Sequence, residues 1–327
     1  MNQYNYVVLG SSWDLYKQSY SDLNTVGYAQ YIWRKVPSRF SFYGLLYRLH
    51  FNKRIKFPLK FFWNSFFVKT NFSNNKPLCF ILFSDWIRLD TNIVPFLRKK
   101  YSGCKIVWFC QDLISTQKAL DNHFDVNEIK KHLDLIISFD QKDCEKYGFI
   151  YHPLVFSEFR GEKKLMPESD VYMLAKAKNR LDDIYAIYEV LRSKHLKLDI
   201  NLVDVKPKDQ KFKEEIHFLD SRGMSYAENL QHILHTKCIL EVMQKNGAGF
   251  TQRGCESVCL GKKLLTNNAY IKNEPFFKPE YISTFSSVND LDHDFVEHIS
   301  DNVAVNFNYK EKMSPIALLN FIEGKLL

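Results

Sequence analysis

The sequence predicts an α/β protein made of two Rossmann-like βα domains that face each other across a cleft. Its 327 residues allow roughly two domains. Apolar, strand-like runs alternate with helical segments in both halves, a rhythm typical of parallel sheets. A polar segment without periodicity separates the halves. We therefore expect an N-terminal domain at 1–156, a linker at 157–169, a C-terminal domain at 170–305, and a final helical segment at 306–327 that packs back on the first domain.

Composition favours a folded protein of the cytoplasm. The chain is 46% hydrophobic and 25% charged, which supplies sizeable cores. The start MNQYNYVVLG lacks the features of a signal peptide. No stretch approaches the roughly 20 apolar residues of a membrane span. The seven cysteines include no C-x-x-C pair, so we expect reduced thiols and no metal site.

Positive charge is concentrated near the N-terminus. Residues 23–84 contain ten Lys or Arg and no Asp or Glu, interleaved with aromatic residues as in FPLKFFWNSFF at 57–67. Such a region suits the surface of an anionic membrane, where cations meet lipid headgroups and aromatic rings settle at the interface. Two alternatives are a nucleic-acid contact and an aromatic core whose cations only face solvent. The expectation is peripheral contact with the cytoplasmic membrane face.

Three buried strands of the first half run into a carboxylate. Strands are predicted at 4–10, 78–84, 104–110 and 133–139, with helices at 92–101, 126–132 and 141–147, and the last three strands lead into Asp85, Asp112 and Asp140. Ligands of parallel sheets bind beyond the carboxyl ends of the strands. These acids are therefore expected along one rim. The alternative is strand-end capping, and Asp140 in particular precedes a helix that it could cap.

The second half begins with a basic loop. A strand at 171–174 leads to Lys176, Lys178 and Arg180, and three cations at a strand end suit a pyrophosphate. A solvated basic loop is the alternative. A helix through Leu191 follows, and the remaining elements are a strand at 196–205, a helix or extension at 212–220, a helix at 226–235 capped by Ser225, a strand at 238–243, a short strand at 281–285, and helices at 291–299 and 314–325.

The stretch 241–268 combines a glycine turn, a helix and a strand. Thr251 can cap the helix that follows Gly247–Gly249, and Gly261 ends it. A helix N-terminus after a glycine turn is an anion site. Arg253 and Glu256 lie one turn apart, so they share a face. A cation for phosphate beside a carboxylate for sugar hydroxyls suits a nucleotide, while the alternative is an exposed ion pair of little consequence.

This half resembles the C-terminal domain of GT-B fold glycosyltransferases, especially bacterial enzymes of capsule, exopolysaccharide and lipopolysaccharide assembly. The resemblance lies in the basic loop, the Ser-Tyr-x-Glu helix at 225–228, the Q-x-N-x-x-G-x-T-x-R-x-x-E run at 244–256 and the TNN ending at Asn268. It implies a nucleotide-sugar site with pyrophosphate at Lys178 and Arg180, helped by Thr251 and Arg253, ribose at Glu256, the base at Gln244, and further donor contacts at Tyr226 and Asn268. The E-x-seven-E spacing of many retaining members is absent, because Ala248 stands eight residues before Glu256.

The expected activity is transfer of a sugar from a nucleotide diphosphate-sugar, with UDP-sugar the first choice, to a glycan acceptor that is lipid-linked. We expect no metal and no other cofactor. An inverting enzyme also needs a base to deprotonate the acceptor hydroxyl, for which Asp112 is the first candidate and Asp85 the second. Two alternatives remain: a nucleic-acid-binding protein that uses 33–69, and an inactive GT-B partner subunit.

Overall fold

The computed structural model describes residues 2–35, 38, 40–51, 60–90, 92–243 and 249–327. The chain divides into two compact units. The N-unit comprises Met1–Ser157 together with Ser314–Leu327, and the C-unit comprises Glu158–Met313. The last helix of the chain therefore belongs to the N-unit, where the ring of Phe321 lies 4.8 Å from that of His152.

The N-unit contains a six-stranded sheet with the order β2-β1-β3-β4-β5-β6, and all its strand pairs are parallel. Every residue of β1 is buried, and β3 and β4 are buried except at their first residue, because helices cover both faces of a parallel sheet. The strands are β1 Asn5–Gly10, β2 Ala29–Trp33, β3 Leu78–Phe83, β4 Lys105–Cys110, β5 Leu135–Ser138 and β6 Ile150–Tyr151.

The helices of the N-unit connect these strands. The predicted helices at 92–101, 126–132 and 141–147 are present, with slightly different ends. The sequence did not predict β2, the helices at 14–19, 42–51, 60–67, 84–89 and 114–120, or the pairing of β6 with β5. The helices are α1 Asp14–Ser19, α2 Phe42–Phe51, α3 Lys60–Phe67, α4 Ser84–Leu89, α5 Ile93–Lys100, α6 Ile114–Leu120, α7 Val126–Lys130, α8 Gln141–Tyr147 and, at the end of the chain, α13 Pro315–Leu326, with a 3-10 helix at Ser21–Thr25.

The C-unit repeats this architecture with a second six-stranded parallel sheet, in the order β12-β11-β10-β7-β8-β9. The segment 212–220, predicted as a helix or an extension, contains a strand. The strands are β7 Ser169–Lys176, β8 Leu198–Val203, β9 His217–Leu219, β10 Thr236–Glu241, β11 Lys263–Thr266 and β12 Ile282–Thr284.

Two of the C-unit helices have the predicted caps. The side chain of Ser225 accepts a hydrogen bond from the Glu228 amide, and Thr251 accepts one from the Gly254 amide. Gly261 has φ +62°, and a Cβ atom there would lie 2.7 Å from the Val305 carbonyl oxygen, so glycine is required. The helices are α9 Leu181–Ser193, α10 Tyr226–Leu234, α11 Gln252–Leu260 and α12 His293–Glu297, with 3-10 helices at Lys178–Arg180, Pro207–Asp209, Ala269–Asn273, Val288–Asp290 and Lys310–Met313.

The described aromatic residues of the basic region include one packed group and one exposed group. Rings of Tyr47, Phe51 and Phe67 pack against one another, with centroids 4.4–6.0 Å apart. Side chains of Phe40, Phe42, Tyr43 and Phe66 are exposed. The segment 52–59 and residues 36, 37 and 39 lie outside the described residues. Across the described part of the chain, no helix combines the length and apolar character needed to cross a bilayer.

Candidate functional site

Glu241 is the centre of a buried polar cluster in the C-unit. It ends β10 at the carboxyl edge of the sheet, and its carboxylate accepts hydrogen bonds from the hydroxyls of Thr251 and Thr266, the latter at 2.6 Å. Burial raises the pKa of Glu241, and the two hydroxyls oppose that rise. Since Thr251 caps α11 and Thr266 ends β11, Glu241 fixes the helix N-terminus against two strand ends. No role of Glu241 was predicted from the sequence, although an acid at the end of the apolar run of β10 is a signal like that of Asp112.

Arg253 and Glu256 form an internal ion pair. Glu256 is 0% exposed, and its oxygens accept hydrogen bonds from the Arg253 Nη1 and, at 2.8 Å, from the Tyr226 hydroxyl. Burial raises the pKa of Glu256, opposed by Arg253 and Tyr226. The Arg253 side chain keeps 22% exposure. The alternative of an exposed surface pair is therefore wrong. The ribose assignment of Glu256 stays a prediction, and it requires the buried carboxylate to become accessible to a ligand.

Asn229 connects this ion pair to the sheet. Its side-chain oxygen accepts hydrogen bonds from the Arg253 Nη1 at 3.0 Å and from the Tyr172 hydroxyl at 2.9 Å. Gln252, one residue before Arg253, donates to the Tyr226 hydroxyl at 3.3 Å. These hydrogen bonds therefore join side chains of α10 and α11 in one network. The network fixes the orientation of Arg253 and Tyr226.

Arg180 links the basic loop to the end of β10. Its guanidinium donates to the backbone carbonyls of Val242 and, at 3.0 Å, of Lys176. Burial lowers the pKa of Arg180, while the nearby charge of Glu241 raises it. Lys178 is exposed in the same loop and has φ 48°, an unusual backbone conformation for a residue with a side chain. Of the residues that the sequence assigned to pyrophosphate, Arg180, Thr251 and Arg253 thus lie near Glu241 at one sheet edge.

Asn267 and Asn268 of the TNN segment contact the described residues on either side of 244–248. The Asn267 side chain accepts a hydrogen bond from the Met243 amide at 2.6 Å, and the Asn268 side chain donates to the Gly249 carbonyl at 3.0 Å. Gln244, predicted to contact the base, lies outside the described residues, as do the other residues of 244–248. In the described structure the Asn268 side chain contacts the backbone of Gly249, and its predicted contact with the donor stays a prediction.

Asp85 and Asp112 line one pocket at the carboxyl edge of the N-unit sheet. The pocket has a volume of about 80 Å³. Asp85 lies in the first turn of α4 and pairs with Arg88 at 2.7 Å. Desolvation in the pocket, followed by the charge of Asp85, raises the pKa of Asp112, and Arg88 opposes this. Other residues that line the pocket are Ser11, Trp13, Tyr16, Phe83, Ser84 and Gln111.

Asp140 does not belong to that pocket. Its carboxylate is 1% exposed and accepts a hydrogen bond from the Asp143 amide at 2.9 Å, as the N-cap of α8. The alternative interpretation, that Asp140 caps the helix that follows it, is confirmed. Two of the three predicted rim acids are therefore brought together, and the third caps a helix.

Metal ligands are not clustered in the described residues, where no group of three or more His, Cys, Asp or Glu side chains could hold an ion. All seven cysteines lie in the described residues, and none forms a disulfide bond there.

Comparison with solved structures shows the same architecture in proteins of very different sequence. Trehalose-6-phosphate synthase OtsA superposes with a TM-score of 0.54 at 10% identity, over 98% of this chain and 97% of its own. The Anabaena protein HepE, solved with UDP and glucose, gives a TM-score of 0.51 at 11% identity over 98% of both chains. A UDP-forming α,α-trehalose-phosphate synthase from Burkholderia vietnamiensis gives 0.50 at 9% identity over 98% and 97%.

No protein-family profile and no curated protein sequence matches the chain. Its structural neighbours are GT-B glycosyltransferases. The two parallel six-stranded sheets and these neighbours define the protein's class: it has the GT-B fold. The predicted fold class is confirmed.

Proposed function

We propose that the protein is a glycosyltransferase that takes its sugar from a nucleotide diphosphate-sugar, with UDP-sugar as the first choice. The observation that carries the proposal is the cluster around Glu241. It gathers Arg180, Thr251 and the N-terminus of α11 at the carboxyl edge of a parallel sheet, where ligands of such folds bind. HepE, which shares the fold, is solved with UDP-glucose, and this supports the choice of UDP.

The C-unit supplies the donor site in this proposal. Breaking the bond between sugar and diphosphate builds negative charge on the leaving oxygen. The α11 N-terminus, Arg253 and the basic loop with Lys178 and Arg180 stabilise that charge, so the reaction requires no metal ion. Tyr226 and Glu256 hold the ribose, and Gln244 contacts the base. Asn268 contributes by its hydrogen bond to the Gly249 backbone.

The N-unit supplies the acceptor site. In an inverting reaction Asp112 removes the proton of the acceptor hydroxyl, with Asp85 as the second candidate. The raised pKa of Asp112 strengthens it as a base, since catalytic bases work best with a pKa near the operating pH. If the reaction retains the configuration, this base is not required.

Donor binding is tested by a thermal-shift titration of the full chain with UDP, GDP, dTDP and CMP. A UDP-dependent rise in Tm that saturates is expected, since a ligand of the native state stabilises it by mass action. Arg253→Gln should remove most of the shift. Arg222→Gln, which changes an exposed arginine of the same unit, should keep it. If none of the four nucleotides raises Tm, or if Arg253→Gln binds UDP as wild type does, the donor site is wrong.

We further propose a lipid-linked glycan acceptor and a role in surface polysaccharide assembly, at the cytoplasmic face of the membrane. The exposed aromatic residues of α2, next to a run of cations without acids, support this. Such a surface binds anionic headgroups through its charge and the interface through its rings.

Phe42→Ser with Tyr43→Ser is expected to weaken binding to phosphatidylglycerol vesicles, because both side chains are more than half exposed. Co-sedimentation measures the bound fraction, and phosphatidylcholine vesicles test the need for anionic lipid. The matched control is Leu120→Ser, which removes an exposed apolar side chain elsewhere in the N-unit. Equal vesicle binding by the double variant and wild type would contradict the membrane proposal.

The basic region also favours a second function, binding of nucleic acid. It predicts oligonucleotide binding that weakens steeply with salt and no selective response to nucleotide diphosphates. An inactive partner subunit would bind the donor but form no product. The nucleotide titration distinguishes a nucleic-acid-binding protein from a glycosyltransferase. Product analysis distinguishes an inactive partner subunit from an active glycosyltransferase.

A further inference from the structure

Arg34 is a buried cation at the carboxyl edge of the N-unit sheet. It directly follows β2 and is 6% exposed. Its guanidinium lies between two aromatic rings, 3.9 Å from the centroid of Trp86 and 4.5 Å from that of Phe51. These contacts fix the plane of the guanidinium, and attraction to the ring faces compensates part of its lost hydration.

Two donors of this guanidinium are unused. Nη2 donates weakly to the Trp86 carbonyl at 3.5 Å. Nε and Nη1 are buried and have no hydrogen-bond partner in the described part of the chain. The charge of nearby Asp90 acts on Arg34 and raises its pKa, against the larger lowering by burial. A buried donor without a partner costs free energy, and native proteins rarely leave one so.

The surroundings of Arg34 place it beside the candidate acceptor pocket. The Trp86 indole donates to the Gly10 carbonyl at 2.8 Å, at the end of β1. Trp86 follows Asp85, which lines the pocket. On the other side, Arg34 contacts α2, the helix that carries the exposed aromatic surface. A group held by Arg34 would thus lie next to Trp86, the neighbour of the pocket residue Asp85, and next to α2.

We propose that Arg34 binds a phosphate group carried by the acceptor. Phosphate oxygens would accept from Nε and Nη1, and the planar guanidinium suits a phosphate better than an ammonium does. The neighbouring residue Lys35, which is exposed, adds to the attraction. The description of the ligand as the acceptor rests on the proposed function, whereas anion binding at Arg34 does not.

The geometry predicts an unusual trade-off for Arg34→Met. An apolar side chain of similar length removes the two unpaired donors, so Tm without ligand should stay unchanged or rise. With UDP added at a saturating concentration to occupy the proposed donor site, the same variant should lose the further rise in Tm that inorganic pyrophosphate gives the wild-type chain at constant ionic strength. Arg34→Lys keeps the charge but not the planar donors, and should weaken pyrophosphate binding roughly tenfold. Arg48→Met removes an exposed charge nearby and should bind as wild type does.

Calorimetry and thermal shift on the full-length variants decide the outcome. Sodium acetate at the same ionic strength tests for a carboxylate ligand, and an isoprenyl diphosphate in detergent micelles, compared with glucose 6-phosphate, separates a lipid-borne phosphate from a soluble one. Unchanged pyrophosphate affinity in both Arg34 variants, or a large fall in Tm without ligand in both, overturns the proposal. Arg34-dependent phosphate binding without any response to UDP would instead contradict the proposed function and leave this site standing.

Discussion

Glu256→Gln is expected to lower the free energy of unfolding of the C-unit by about 3 kcal/mol, which is the low end of the cost of breaking a buried ion pair. The substitution leaves Arg253 charged inside the protein without its partner. The estimate is at the low end because Arg253 keeps 22% exposure and a hydrogen bond to Asn229. Urea unfolding followed by circular dichroism measures the change.

The control for this prediction is Glu228→Gln. Glu228 lies on the neighbouring helix α10 but is exposed, so its neutralisation should change stability by no more than about 0.5 kcal/mol. A double variant with Arg253→Met should recover part of the loss, because it removes the uncompensated charge. Equal stability of Glu256→Gln and wild type would mean that the pair is not an internal one.

Asp112→Asn is expected to lower kcat by about 10²–10⁴-fold if the reaction inverts configuration, the range that general base catalysis supplies. Binding of UDP should not change, since the donor site is assigned to the C-unit. Asp85→Asn should have a smaller effect on kcat, because it removes only the neighbouring charge. Steady-state kinetics at saturating donor measures both. Normal kcat in both variants would exclude either acid as the base.

The pH dependence of stability gives Asp112 a second signature. Its pKa in the folded protein is raised by desolvation and by Asp85, so the folded state binds more protons than the unfolded state between the two pKa values. Stability contributed by this group therefore falls as pH rises through that window. Asp112→Asn removes this loss, so its Tm at pH 7 should be unchanged or higher while its activity falls. A lower Tm at pH 7 would indicate a structural role instead.

Local sequence signals predicted much of the fold. Apolar runs such as LCFILF and KIVWFC became β3 and β4, because a strand buried on both faces requires an unbroken apolar run. The helix caps at Ser225 and Thr251 and the helix end at Gly261 were also predicted from the sequence, because each depends on one residue and its near neighbours. Those signals were sufficient to predict the α/β class and the alternation of strands and helices along the chain. The strand β2 was missed because its AQYIW run is short and mixed, and its pairing with β1 is a long-range contact.

The sequence by itself determined which chemical groups stand at the ends of strands and at the start of α11. Only the tertiary structure decided how they are used. Glu256 became an internal partner of Arg253 and Tyr226, and Glu241 emerged as the residue that joins Thr251 to Thr266. Arg34, one of ten cations in an acid-free region, became a buried guanidinium between two rings. Burial and hydrogen-bond partners arise from residues far apart in the chain, and these set the charge and availability of a side chain.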